Sequence, residues 1–440
     1  MLDGFGCSFN FPGASVFPVR GPNAFGCAES GPFGNAGIIA PPGRNFNGLA
    51  TPNISSFVAA NGNPSLAPYF GVSGHSNPKY GYVEQWNFDI QRELPAGFFA
   101  DVAYAGSHGV HLQQYSTTID QLPDTLWSQG AALTTQVSNP MIGTNPNPSL
   151  NGATVAAGQL ERPYPQYNGL ALAGYGCCGS SYNSLQATVT RRFAGGGTLL
   201  VAYTNAKLMS NTDTLTSWLE GPTGGVPGVQ DWNNLKGERS LSAQDVSQRL
   251  VISYVLDLPF GHGRKYLSSM NGVANGVVSG WGIDGITTFQ RGFPLKISYA
   301  GTTLLEKANL GVANIRPNII PGCNKKAGGK NLTQWFNTSC FAAPPDYGPG
   351  TESRVDPVLR GPGINNWDFA LFKRTNIGER MGIEFRTEFF NIFNHPYFSM
   401  PGTGFAGTAS GNGFGTITST IQGGVASPER LIQFALKFEF

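Results

Sequence analysis

Charge is scarce in this 440-residue chain. Asp, Glu, Lys and Arg make up 12% of it, where soluble domains average about 25%, so an ordinary solvated surface is poorly supplied. The two signs nearly cancel at a formal net charge of +2, and no Lys/Arg cluster with interleaved aromatics occurs. A nucleic-acid surface is therefore unsupported. Long apolar runs are missing too. No stretch reaches the roughly 18 residues that a membrane-spanning helix needs, and the Gly/Val-rich tract at 273–278 is broken by Asn275. The six cysteines (Cys7, Cys27, Cys177, Cys178, Cys323 and Cys340) show no paired Cys-x-x-Cys spacing, so no metal site is expected. No nucleophile, base and orienting group converge in the sequence either, and neither catalysis nor a cofactor is implied.

None of these absences excludes a membrane wall made of strands. A tilted strand crosses with about 9 to 11 residues of alternating pattern, which a hydropathy window averages away. The mean hydropathy of −0.14 is thus no obstacle.

What the chain does have is glycine, at 60 of 440 residues, aromatics at 12%, and alternation. The last ten residues read LIQFALKFEF. Ile432, Phe434, Leu436, Phe438 and Phe440 alternate with Gln433, Ala435, Lys437 and Glu439, the period-two signature of a strand with one apolar face. Residues 1–79 are dense in Gly, Pro, Asn and Phe without period and read as loop or disorder. From residue 80 the pattern changes. Strands are expected at 82–94 and 98–105, 182–193 and 198–207, 249–258 and 281–290, 367–375 and 381–394, and 431–440. The first of each pair is joined to its partner by a short turn, except at 259–280, where the connection is longer than a tight turn but shorter than the loops between pairs. The loops between pairs, at 106–181, 208–248, 299–366 and 395–430, are long and rich in Gly, Pro, Asn and Ser.

Antiparallel neighbours joined in this way put short turns at one end and long loops at the other. Ten residues at about 3.4 Å each, tilted near 45°, rise about 24 Å, close to the apolar band of about 25 Å on an outer-membrane barrel. The reading is an all-β, antiparallel transmembrane β-barrel domain at 80–440, with outer-membrane lipid against its apolar face. The alternative is a secreted all-β binding or adhesion protein. The N-terminus, MLDGFGCSFNFPGASVFPVR, has no basic start followed by an apolar core, so a secretory signal is not expected there. A chain beginning partway into a longer protein accommodates that.

Candidate side chains are few. Asp368, Glu384, Arg386 and Glu388 fall on the polar face of their strands and are expected to line the lumen. Trp86, Tyr104, Trp281 and Trp367 lie near strand ends, where interfacial aromatics recur. His108 and His111 have no carboxylate or cysteine at ligand spacing and read as loop histidines, as do His262 and His395. Gly195, Gly196 and Gly197 precede a strand and lack a Lys-Ser/Thr pair, so they read as a hairpin turn and not a phosphate loop. Exposed loop disulfides are expected, Cys323 with Cys340 and Cys7 with Cys27, which favours an oxidising compartment.

In order along the chain, EQWNFDIQRELPAGFFADVAYAGSHGVHL from Glu84, YNSLQATVTRRF from Tyr182, QRLVISYVLDLPFGHGRKY from Gln248, GWGIDGITTFQRGFPLKIS from Gly280 and NWDFALFKRTNIGERMGIEFRTEFFNIFNHPYF from Asn366 precede the final strand. Together they resemble the TonB-dependent outer-membrane receptors, in particular the Oar-like group. The resemblance implies a barrel of about 22 strands with a plugged lumen that imports a ligand, here unidentified, with energy relayed through TonB. The nine strands expected here would be the C-terminal part of such a barrel, without its N-terminal plug, which is the contact with the TonB complex. It also implies that the strand ending on Phe434, Phe438 and Phe440 is a recognition signal for the barrel-assembly machinery.

Overall fold

The computed structural model describes residues 8–9, 70–72, 80–142, 148–165, 169–212, 228–270, 272–328, 330–377, 381–408, 413–421 and 429–440. Cys7, Cys27 and most of 1–79 lie outside them. Among these described residues nine long strands form one antiparallel meander: β1 Tyr82–Leu94, β2 Phe98–Thr118, β3 Leu170–Arg192, β4 Gly197–Ser210, β5 Gln248–Asp257, β6 Trp281–Gln290, β7 Ile364–Ile377, β8 Met381–Phe390 and β9 Leu431–Glu439. Each pairs with the long strands next to it in sequence. Among the described residues β1 bonds only β2, and β9 only β8, so this wall is open at both edges.

The cross-strand register sorts the side chains into two faces. Ile90 stands opposite Val102, and Val102 opposite Ala187. Val189 stands opposite Val201, and Val201 opposite Ile252. On the far side Phe369 faces Phe389, and Phe389 faces Ile432. The same register puts Asn87, Asp101, Gln186, Asp284, Glu388 and Gln433 on the opposite face. One apolar face therefore runs unbroken across all nine strands, because every neighbour keeps the parity that a one-residue slip would invert. Glycines let aromatics lie flat on the wall. A Cβ on Gly106 would collide with the Trp86 indole, and one on Gly282 with the Phe372 ring.

Short connections close one end. Pro95–Gly97 joins β1 to β2, with Ala96 and Gly97 at positive φ of 66° and 73°. At the β3–β4 turn Gly196 and Gly197 have φ of 100° and 113°, which a side chain rarely tolerates. This is a hairpin. The longer connection at 258–280 carries a short helix, Gly272–Val278.

Three boundaries differ from the sequence expectation. The ladder between β2 and β3 does not stop near residue 105; it runs from His108 opposite Ser181 to Thr118 opposite Ala171, across a bulge after Gly109. Twenty-one residues in β2, at about 3.4 Å each and the same tilt, rise about 50 Å, twice the apolar band. Beyond that band neither face needs to be apolar, so alternation fades while the hydrogen bonds continue. His108 and His111 accordingly sit inside β2 and not after its end. Finally, β8 stops at Phe390 and not at 394, because Asn391 and Asn394 take positive φ of 50° and 53°, a conformation asparagine accepts more readily than most residues.

The four long connections at the other end, 119–169, 211–247, 291–363 and 391–430, fold onto one another as a cap. Leu122, Trp127 and Leu133 of the first pack with Leu305, Leu310, Val312 and Ile315 of the third. Leu241 and Ala243 of the second pack with Val355 of the third. Leu295, Ile297, Phe336, Phe341 and Leu359 of the third pack with Phe405 and Phe414 of the fourth. The third connection is thus the hub.

Candidate functional site

Two features of this architecture carry polar chemistry: the polar face of the wall and the interior of the cap. On the wall, β7 and β8 place Arg374 opposite Glu384, Phe372 opposite Arg386 and Ala370 opposite Glu388. Arg386 is the centre. Its Nε donates to Glu388 at 2.6 Å and its Nη2 to Asp284 on β6, and its guanidinium lies 5.8 Å from the Phe372 ring. Glu384 belongs to a separate pair, accepting from Arg374 Nε at 2.7 Å. Asp368 joins neither group. Its carboxylate accepts from the Asn391 backbone at 2.9 Å and from Asn366 Nδ2 at 2.8 Å, so it fastens the turn that ends β8. Asp284 and Arg374 went unnoticed in the sequence, although the parity of WGIDGITTFQ and WDFALFKRT already places both on the polar face.

The apolar face ends in aromatics. Trp281 opens β6 at the short-turn end, its Nε1 donating to Val277 O at 2.8 Å and Lys373 standing 5.1 Å over its ring. At the long-loop end Trp367 meets Phe289 and Phe393 edge-on, at 5.6 and 5.4 Å. Trp86 and Tyr104 lie within β1 and β2. On β9, Phe434 and Phe438 are 67% and 61% exposed, and Phe440 follows the strand fully exposed.

Inside the cap, charges are buried in pairs. Arg162 meets Asp120 at 2.8 Å with neither side chain exposed. Arg316 grips Glu238 through both terminal nitrogens at 2.8 and 3.1 Å, the fork geometry that suits a carboxylate. Lys325 is held by Glu352 and Asp356, and Arg360 by Asp245. Arg316–Glu238 and Arg360–Asp245 tie the third connection to the second, as does Arg354, which donates to Glu238 O at 3.1 Å and to Ser210 O, at the end of β4, at 2.8 Å; Gln121 Nε2 ties the first to the second through Asp231 at 2.6 Å. Burial pushes the Asp120 carboxyl up to about 7 against the pull of Arg162. Glu352 is also raised, by burial and then by Asp356.

Cys323 and Cys340 are bonded, with Cα atoms 5.4 Å apart. The bond is not the exposed one expected for a loop: Cys340 is fully buried against Phe336, Phe341 and Phe414. The reason is that the connection carrying it folds around its own core. Adjacent Cys177 and Cys178 also face each other in β3. His395 Nδ1 lies 3.3 Å from Asn365 O, and His108 3.8 Å from Glu84.

A family model described as outer membrane beta barrel domain matches residues 4–433. Among solved structures, the chain is similar to the outer membrane transporter YddB from Escherichia coli, at 7% identity and a TM-score of 0.38, over 86% of this chain and 35% of that one. It is also similar to FpvA of P. aeruginosa, solved bound to heterologous pyoverdines, at 10% identity and a TM-score of 0.29, over 81% of this chain and 27% of that one. The chain thus spans about a third or less of the length of these two proteins. No curated protein matches it.

Proposed function

Since the chain belongs to the outer membrane β-barrel domain family and resides in the bacterial outer membrane, we propose that it is the C-terminal part of a TonB-dependent receptor barrel of the Oar-like group, taking up an unidentified ligand. The observation that carries this reading is the division of the connections: the shorter ones at one end, and at the other four long loops co-folded into a cap. A cap of that kind gives an external ligand a surface above the barrel. In this reading the polar face of β6, β7 and β8, with Asp284, Arg374, Glu384, Arg386 and Glu388, lines the lumen, while Asp368 holds the rim. The nine long strands among the described residues are fewer than the roughly 22 of plugged transporters. The remaining strands and the plug that reaches the TonB complex come from polypeptide other than residues 80–440. Phe434, Phe438 and Phe440 act as the signal for the barrel-assembly machinery, and the Cys323–Cys340 bond forms in the oxidising space outside the inner membrane.

The test is cross-linking in native outer membranes with a tag placed in the cap. Recovery of the C-terminal domain of TonB with the tagged barrel is the expected result. A detergent-extracted barrel that never links to TonB, under conditions where a known receptor does, would contradict it.

A further inference from the structure

The third connection leaves a cavity of about 390 Å³ beside the outer ends of β6 and β7, lined by the polar and aromatic side chains of Gln290, Arg291, Lys326, Lys330, Trp335 and Arg360, with Val358, Leu359 and glycine backbone completing the wall. Four of these six side chains are cations and none of the lining residues is acidic. Three buried cations of the cap do have carboxylates: Arg162 has Asp120, Arg316 has Glu238, and Lys325 takes both Glu352 and Asp356. Of the cavity's cations only Arg360 is treated in this way. Asp245 neutralises it, and its Nη1 donates to Asp245 O at 2.9 Å and Gly292 O at 3.1 Å. Arg291, Lys326 and Lys330 pair with no carboxylate among the described residues.

All three are exposed to water, yet like charges held together repel, and an anion bound among them relieves that repulsion. Burial, and then Arg291 and Lys326, hold the Lys330 ammonium below its usual value, so the three cations sense one another across the cavity. The fourth wall is a fixed ring. Trp335 Nε1 donates to Arg360 O at 2.7 Å, which anchors the indole, and Lys330 Nζ stands 5.2 Å over its face. The cavity falls in the ordinary range for small-ligand sites, about 300–1,000 Å³.

We propose that this cavity binds a phosphorylated sugar, with the phosphate held by Arg291, Lys326 and Lys330 and the sugar ring laid against Trp335. Convergence of three cations suits a multiply charged phosphate better than a single carboxylate, and an apolar ring face suits the C–H side of a sugar. Two sources offer that chemistry beside an outer-membrane wall: a soluble sugar phosphate and the phosphorylated headgroup of an outer-leaflet glycolipid.

The experiment uses the full chain in detergent, titrated calorimetrically with glucose 1-phosphate and with glucose, and in parallel loaded with lipid A and washed. Wild type is expected to bind at least one phosphorylated probe, and R291Q/K330Q to weaken that binding by about tenfold or more, since charge-assisted contacts to phosphate are lost. K330R restores most of it, and K265Q, at the short-turn end, leaves it unchanged. An unaltered protease-digestion pattern of the cap separates lost charge from lost fold. Binding of glucose 1-phosphate alone assigns a soluble ligand, and retention of lipid A alone assigns the glycolipid. Failure of wild type to bind either, equal binding by R291Q/K330Q, or equal affinity for glucose would overturn the proposal. No step of the assay depends on transport, so its failure leaves the uptake reading standing, and failure of the TonB cross-link leaves this site standing.

Discussion

In the wall the large apolar side chains are exposed, Phe88, Val102, Phe434 and Phe438 among them, whereas in the cap Phe336, Phe405, Leu295 and Leu305 have almost no contact with solvent. The charges follow the same division. Arg374 and Glu384 on the wall are 57% and 18% exposed, while Arg162 and Asp120 in the cap are wholly buried. One chain therefore uses two solvents. The wall needs no second layer because lipid covers its apolar face. The cap stands clear of lipid and must bury its own apolar groups, as any water-soluble domain does.

The largest expected contrast lies between ion pairs. Removing Arg316 leaves Glu238 charged and buried, which costs about 3–5 kcal/mol. Removing Arg374 from its exposed pair costs less than about 1 kcal/mol. Urea titration of cap protease resistance measures the first, and the heat-modified gel shift of the barrel the second. Equal losses would erase the distinction between wall and cap.

Next comes a pair of neighbours on β9. Phe434→Arg puts a cation on the apolar face and should destabilise by about 2–4 kcal/mol near mid-membrane, while Ala435→Arg, one residue on, should change little. The yield of folded, membrane-inserted protein reads both, and the two substitutions behaving alike would count against the face assignment.

A pH titration probes the cap. Asp120 has a folded value raised to about 7, above its ordinary 3.8, so between these values the folded state holds a proton that the unfolded state has released. Stability from this group is complete at pH below about 4 and is lost as the pH rises through about 7. Asp120→Asn should flatten that decline, with cap protease resistance from pH 4 to 8 as the measurement.

A smaller effect sharpens the packing of the wall itself. Gly282→Ala drives a methyl into the Phe372 ring, for about 1–3 kcal/mol. Gly195→Ala meets nothing within 4 Å and should be neutral, the heat-modified gel shift of the barrel reading both.

The wall was legible in the sequence and the cap was not, for a physical reason. Each strand of the wall carries its own signal, since LIQFALKFEF or MGIEFRTEFF states its two faces within ten residues. The outer halves of β2 and β3 lost that signal once both faces stood clear of the membrane. In the cap, Leu122 meets Leu310 and Phe336 meets Phe414 across wide sequence gaps, and no local period records such contacts. The charged residues divide likewise. Parity sufficed to place Glu384, Arg386 and Glu388 on one face, but it could not tell that Asp368 would turn to Asn391, nor that Arg162 would find Asp120 in a buried pair. Only the register and the folded loops show those.

The most direct test of a two-solvent chain is the accessibility of a nitroxide carried, as an unnatural amino acid, at each position from 432 to 439 of the protein in native outer membranes. Collisions with oxygen, which partitions into lipid, should peak at 432, 434, 436 and 438, and collisions with a water-soluble nickel chelate at 433, 435, 437 and 439. Loss of that period-two exchange, with both reagents reaching both faces equally, would contradict a wall that meets lipid on one side alone.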